Sequence, residues 1–177
     1  MASIIKANQL QDFGGNSIIT SDGAGNVTVN AAAMKMTPAF EAYLASDQTV
    51  TSGTTTKITM DTETFDSAGA YDNSTNYRFT PQTAGKYYVY ATVRGSTSTS
   101  ALELQMAAIY KNGSTYIENQ TDFRGGNGSL MGATVVAIVD MNGSSDYLEC
   151  YGRCLGGTTI KASPTRSSIF GAYKIIV

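Results

Sequence analysis

The 177-residue sequence predicts an all-β fold: an antiparallel β-sandwich or jelly roll, preceded by a short β-rich N-terminal arm. Three observations carry the prediction. Apolar residues recur at every second position through most of the chain, the period that places side chains on one face of a strand. Asn112-Gly113 and Asn142-Gly143 stand between alternating runs, and two-residue hairpin turns favour Asn-Gly because both positions need positive φ. No segment keeps a 3.6-residue period; residues 31–36 (AAAMKM) suffice for a turn or two of helix at most.

Residues 1–37 form the arm. Phe13, the pair Ile18-Ile19, Val27 and Val29 are set apart by Gly14-Gly15, Asp22-Gly23 and Gly25-Asn26, the pattern of short strands joined by tight turns. Roughly thirty such residues cannot close a core of their own. Phe13, Ile18, Ile19, Val27 and Val29 are therefore expected to anchor the arm on copies of itself, on the main domain or on another protein.

Residues 38–177 form the head. Phe40, Ala42 and Leu44 alternate with Glu41 and Tyr43, and Ile58, Met60 and Phe65 mark the next stretch. Pro81 fixes φ and Gly85 permits a positive one, so the segment between them is a turn. After it Tyr87, Val89, Ala91 and Val93 face one way, and Lys86, Tyr88, Tyr90 and Thr92 the other. Leu102, Leu104, Met106, Ala108 and Tyr110 line one face of a strand that turns at Asn112-Gly113 and returns over residues 115–118. A further strand, the turn at Asn142-Gly143, another strand and a final apolar strand ending at Val177 complete roughly eight to ten strands, the count of a sandwich or jelly roll.

Residues 130–139 are apolar at both parities: Leu130, Val136 and Ile138 on one side, Met131, Ala133, Val135, Ala137 and Val139 on the other. A half-exposed antiparallel strand should alternate with polar residues. A second buried face needs a cover that a single sandwich lacks, and a homo-oligomer supplies it. Met131, Ala133, Val135, Ala137 and Val139 are the expected interface row.

Charged residues make up 15% of the chain, against about a quarter in typical domains, and the net charge is −2, which leaves no basic footprint for nucleic acid. No histidine is present, which removes the usual general base, the usual zinc ligand and the Ser–His and Cys–His pairs. No enzyme activity and no cofactor are expected. Asp61, Glu63 and Asp66 are an acidic group on an exposed strand, read as solvated carboxylates and not a metal site. Cys150 and Cys154, about 13 Å apart on an extended strand, are too distant for a disulfide and are read as buried or half-buried thiols. No apolar run suggests a signal peptide or a membrane span, so synthesis in a cytoplasm and no membrane insertion are expected.

Six segments in order, AFEAYLAS, FDSAGAYD, RFTPQTAGKYYVYATV, IYKNG, GATVVAIVDMNGSSDYLE and SSIFGAYKII, give the head a resemblance to the globular domain of complement component 1q and its tumour-necrosis-factor-like relatives. The Phe-x-Pro-x-x-x-Gly-x-Tyr corner of that family matches Phe79, Pro81, Gly85 and Tyr87, and its closing Phe-x-Gly signature is contracted to Phe170-Gly171. The resemblance implies a jelly roll that forms a homotrimer. It also adds Tyr147, Glu149 and Tyr151, with Tyr173 and Ile175 of the closing strand, to the expected threefold interface. Calcium sites of some relatives are not carried over.

The arm, IIKANQLQDFGGNSIITSDGAGNVTV, resembles the leader of tailed-phage virion proteins, a strand with Q-x-x-x-G followed by an I-T-x-D-G-x-G-N-V-T turn and strand. Together the two resemblances imply a non-enzymatic virion structural protein of a bacteriophage. It would be a capsid decoration or head or tail fibre, held by its arm to other virion proteins with the head displayed on the virion surface. The alternative is a receptor- or glycan-binding tip of a tail fibre, with Tyr71, Tyr116, Asn119, Asp122, Phe123 and Arg124 as contacts to a host-surface glycan. Six Asn-x-Ser/Thr sites (Asn26, Asn73, Asn112, Asn119, Asn127 and Asn142) are read as turn chemistry.

Overall fold

A computed structural model describes residues 7–30, 35–99, 101–125, 128–162 and 165–175. Asn127, Val177 and residues 31–34 of the short helical expectation lie outside them. The arm holds β1 (Gln9–Gln11), β2 (Ser17–Ser21) and β3 (Val27–Val29). The head begins with β4 (Ala39–Tyr43), β5 (Gln48–Thr49), β6 (Thr56–Lys57), β7 (Thr62–Asp66), β8 (Tyr71–Asp72) and β9 (Arg78–Phe79). It continues with β10 (Gly85–Ser96), β11 (Leu104–Lys111), β12 (Ser114–Asp122), β13 (Leu130–Met141), β14 (Leu148–Leu155), β15 (Thr159–Ile160) and β16 (Ile169–Lys174). No helix occurs among the described residues, and all strand pairs are antiparallel.

Two sheets face each other. In the first, β13 lies beside β10, then β16, β4 and β7, with β15 and β5 extending it past one end of β10. The second runs β12-β11-β14-β9-β8, with β6 also on β14. The alternation after Tyr87 works as expected: Tyr87, Val89, Ala91 and Val93 are fully buried between the sheets. Around them Phe40 stacks on Tyr71 and on Phe79 at 4.5 Å each and meets Phe170 edge-on at 5.1 Å. Such rings contribute on the order of 2–3 kcal/mol each from burial alone.

The two Asn-Gly turns differ. Asn112 and Gly113 both take positive φ and join β11 to β12 as a tight hairpin. The turn at Asn142-Gly143 is a crossover instead, because β13 pairs with β10 in the first sheet and β14 with β11 in the second. Asn142 Oδ1 accepts from the backbone N–H groups of Ser144, Ser145 and Asp146 and sets the bend. A side chain at Gly143 would stand 2.2 Å from the Ala84 nitrogen, so the crossing requires glycine there.

In the arm, the register aligns Leu10, Ile19 and Val29 in one cross-strand row. Its two turns are built alike: Asp12 accepts from the backbone and side-chain N–H groups of Asn16, and Asp22 from those of Asn26. Asp72 and Asn76 repeat the device in the head.

Candidate interaction surface

The register of β10 with β13 decides which residues the head presents. Tyr87 stands opposite Val139, Val89 opposite Ala137 and Ala91 opposite Val135, so the odd positions of both strands turn into the core together. The even positions turn out: Ile138 beside Tyr88, Val136 beside Tyr90, Thr134 beside Thr92. Across β16 and β4 the rows continue as Tyr173 next to Tyr88, and as Gly171 and Glu41 next to Tyr90.

This outer face is apolar and aromatic at its centre. Val136 and Ile138 are each 47% exposed, an unusual setting for β-branched hydrocarbons on one strand. Tyr88 lies 5.3 Å from Tyr173 and 6.2 Å from Tyr90, ring to ring. Tyr90 can lie flat because its neighbour Gly171 has no side chain; its hydroxyl then donates to Glu41 Oε2 at 2.7 Å. Partial burial, reinforced by that carboxylate, raises the Tyr90 phenol well above its ordinary ionisation range. Charges sit at the margins. Lys86 pairs with Asp140 at 2.7 Å, and the Arg166 guanidinium lies 4.9 Å from the Tyr43 ring and 3.9 Å from Glu41.

The open edge of β13 is sealed by side chains from the other sheet. Tyr116 donates its hydroxyl to the Ile138 carbonyl at 3.1 Å, Asn119 its amide to the Thr134 carbonyl at 2.8 Å, and Lys111 its ammonium to the Asp140 carbonyl at 2.6 Å. The outer face of the second sheet is mixed in character. Leu104, Met106 and Ala108 are covered by Tyr110, Tyr151 and Leu155, with the two tyrosines stacked at 3.9 Å. Lys57 reaches the largely buried Glu149 at 2.5 Å, and Arg78 sits 4.6 Å over the Tyr147 ring.

The expected interface residues divide among three places. Met131, Ala133, Val135 and Val139 are core residues, at most 8% exposed, and Ala137 packs against the same core; β10 and the second sheet cover them within one chain. That row is corrected: the face left for a neighbour carries Leu130, Val136 and Ile138. Tyr147, Glu149 and Tyr151 lie on the second sheet, because the crossover after β13 carries β14 away from it. They do not share a face with Tyr173 and Ile175, which belong to the first sheet's outer side. The residues missed were Tyr88, Tyr90, Val136 and Ile138.

Among the expected glycan contacts, Tyr71 is buried and its hydroxyl donates to the Met60 carbonyl at 2.9 Å, so it has no free face to stack on a sugar. Tyr116 and Asn119 are exposed but commit their polar groups to β13. Phe123 is half exposed, and Asp122 holds Arg124 through Nε and Nη2. In the arm, Phe13 and Val27 are exposed, and Ile18, Ile19 and Val29 are half-buried. Asp61 and Asp66 accept backbone N–H groups of Ala45, Ala68 and Tyr71, and no group of three potential metal ligands forms among the described residues. Both thiols are free and buried.

No protein-family model matches the sequence, and no curated protein matches it. Among solved structures, the chain is similar to murine APRIL at pH 5.0 (9% identity, TM-score 0.59, 77% of this chain and 98% of that one). It is likewise similar to the globular domain of zebrafish complement 1qA protein (10%, 0.58, 78% and 96%). A third similar structure is the Eiger TNF of S. frugiperda (11%, 0.59, 77% and 91%). At such identities the likeness concerns the fold: the chain has the jelly roll shared by tumour-necrosis-factor-like and complement-1q-like domains.

Proposed function

We propose that this chain is a non-enzymatic homotrimeric virion protein of a bacteriophage, a capsid decoration or fibre held by its arm with the jelly-roll head displayed outward. The observation that carries the trimer is the outer face of the first sheet. Val136, Ile138, Tyr88, Tyr90 and Tyr173 form a contiguous apolar surface; the Lys86–Asp140 pair borders it at one end, and Thr92, Thr134 and Arg94 separate it from Leu130 at the other. Contiguous exposed apolar surface on a soluble domain marks an interaction site. Three copies arranged around these faces would bury it, as the resemblance to the trimeric complement-1q-like family supports.

The virion assignment is supported by the arm. Its Leu10–Ile19–Val29 row has no core beneath it, and its sequence resembles phage virion leaders. A three-stranded ribbon with one apolar row is suited to docking on a larger protein surface. Catalysis is disfavoured by the lack of histidine and by the state of a cleft of about 400 Å³ beside Pro38, where the Asp72 carboxylate is spent on the N–H groups of Ser74, Thr75 and Asn76.

The test has two parts. Light scattering of the purified chain is expected to give three times the monomer mass. Antibody against residues 38–177 is expected to decorate the surface of purified particles from lysates that produce the chain. Antigen confined to the particle-free fraction would overturn the virion assignment, and a monomer at micromolar concentration would overturn the trimer.

A further inference from the structure

On the outer face of the second sheet, away from the apolar surface, two adjacent cross-strand rows make a small cleft. One row is Asp122–Leu104–Leu155, the other Gln120–Met106–Arg153. Leu104, Leu155, Gln120, Arg124, Arg153 and Gly53 line an opening of about 200 Å³. That is the space of about six or seven waters, or of one sugar ring. From this cleft we infer a binding site for a carboxylate-bearing sugar.

The chemistry of the walls selects the ligand. Arg153 donates through Nη2 to Gln120 Oε1 at 3.2 Å and has no ion-pair partner among the described residues. Gln120 spends its oxygen on that bond, which leaves the amide N–H groups as its unspent function. Asp122 takes Nε and Nη2 of Arg124 and fixes the guanidinium in place, leaving Nη1 unpaired among the described residues. The unspent groups of Arg153, Gln120 and Arg124 are therefore all donors; Asp122 neutralises Arg124, and Arg153 carries the charge that no carboxylate among the described residues balances. An ionised carboxylate, which only accepts, is the complementary group. Leu155, packed over the buried Leu104, offers no hydrogen bond and suits the C–H face of a ring. The cleft opens to solvent on its other side, which suits ring hydroxyls and disfavours a wholly apolar acid.

The site rests on the reading of the head as a displayed surface only for its biological meaning; binding by the isolated chain is independent of any particle. The experiment is a calorimetric titration of the purified full chain with sodium glucuronate, with glucose and with sodium acetate, at low ionic strength. Glucuronate is expected to bind saturably, and glucose and acetate each about tenfold more weakly or less, because each lacks one half of the match. Arg153→Gln is expected to lower glucuronate affinity about tenfold, and Arg153→Lys to restore part of it, since the charge returns without the fork. Lys35→Gln in the arm removes the same charge elsewhere and is expected to leave binding unchanged. Far-ultraviolet circular dichroism of each variant confirms that the fold is retained. Equal binding of glucose and glucuronate, acetate binding as tightly as glucuronate, no saturable binding, or full binding by Arg153→Gln would each overturn the assignment.

Discussion

Ile138→Asp, set against Val135→Asp three positions earlier on the same strand, separates the two faces of β13. Ile138 is 47% exposed, so roughly half of its side chain remains to be buried on association, worth about 1 kcal/mol per copy. Three copies lose about 3 kcal/mol, and the buried carboxylates add a desolvation cost of several kcal/mol more. The trimer should therefore dissociate at least about a hundredfold more readily. The single chain should keep its fold, because an exposed strand position costs about 1 kcal/mol at most. Val135 is 3% exposed and packed in the core, so Val135→Asp places an unpaired charge inside the sandwich and should leave the chain unfolded or insoluble. Sedimentation across a concentration series, with circular dichroism on the same samples, reads both effects. An Ile138→Asp chain that remains fully trimeric would refute the assignment of the face, and a folded Val135→Asp chain would refute the register.

Three further outcomes are expected. Gly171→Ala places a methyl group 2.4 Å from the Tyr90 ring, which must swing off Glu41; a loss of about 1–2 kcal/mol in urea unfolding is expected, with Tyr90 ionising closer to an ordinary phenol. Residues 38–177 alone should unfold in one cooperative transition with a midpoint close to that of the full chain, since the core lies wholly in the head; a molten product would refute the division at residue 37. Stability should fall as pH rises above about 10, because burial raises Tyr87 to about 12 and holds Tyr71 and Tyr90 higher still, so the unfolded chain releases protons that the native state keeps. A urea midpoint unchanged between pH 9 and pH 12 would contradict this.

Much of the head was legible because alternation is a local property. Tyr87 through Val93 announce their inward row without reference to any other strand, and Asn112-Gly113 closes its hairpin within four residues. The faces of β13 were less accessible, since hydrocarbons occupy both parities and the choice depends on pairing with β10. A local signal did exist: Gly132, Thr134 and Asp140 share the parity of Val136 and Ile138, and such residues seldom share a core row. Tyr71 was misplaced because its short strand offers no period, and a phenol between Ala70 and Asp72 looks the same whether its hydroxyl meets water or a carbonyl. The cleft at Arg153 joins residues from β11, β12, β14 and the turn at Gly53, contacts that only tertiary structure creates.

The sealed margin of β13 matters wherever many heads stand side by side. A bare strand rim invites the next molecule to add its own strand, and crowding on a shell would multiply such errors. With Lys111, Tyr116 and Asn119 already occupying the carbonyls of Asp140, Ile138 and Thr134, a neighbouring strand finds three of its acceptors taken. Along this strand, protection against edge-to-edge pairing comes from the chain's own side chains and needs no partner.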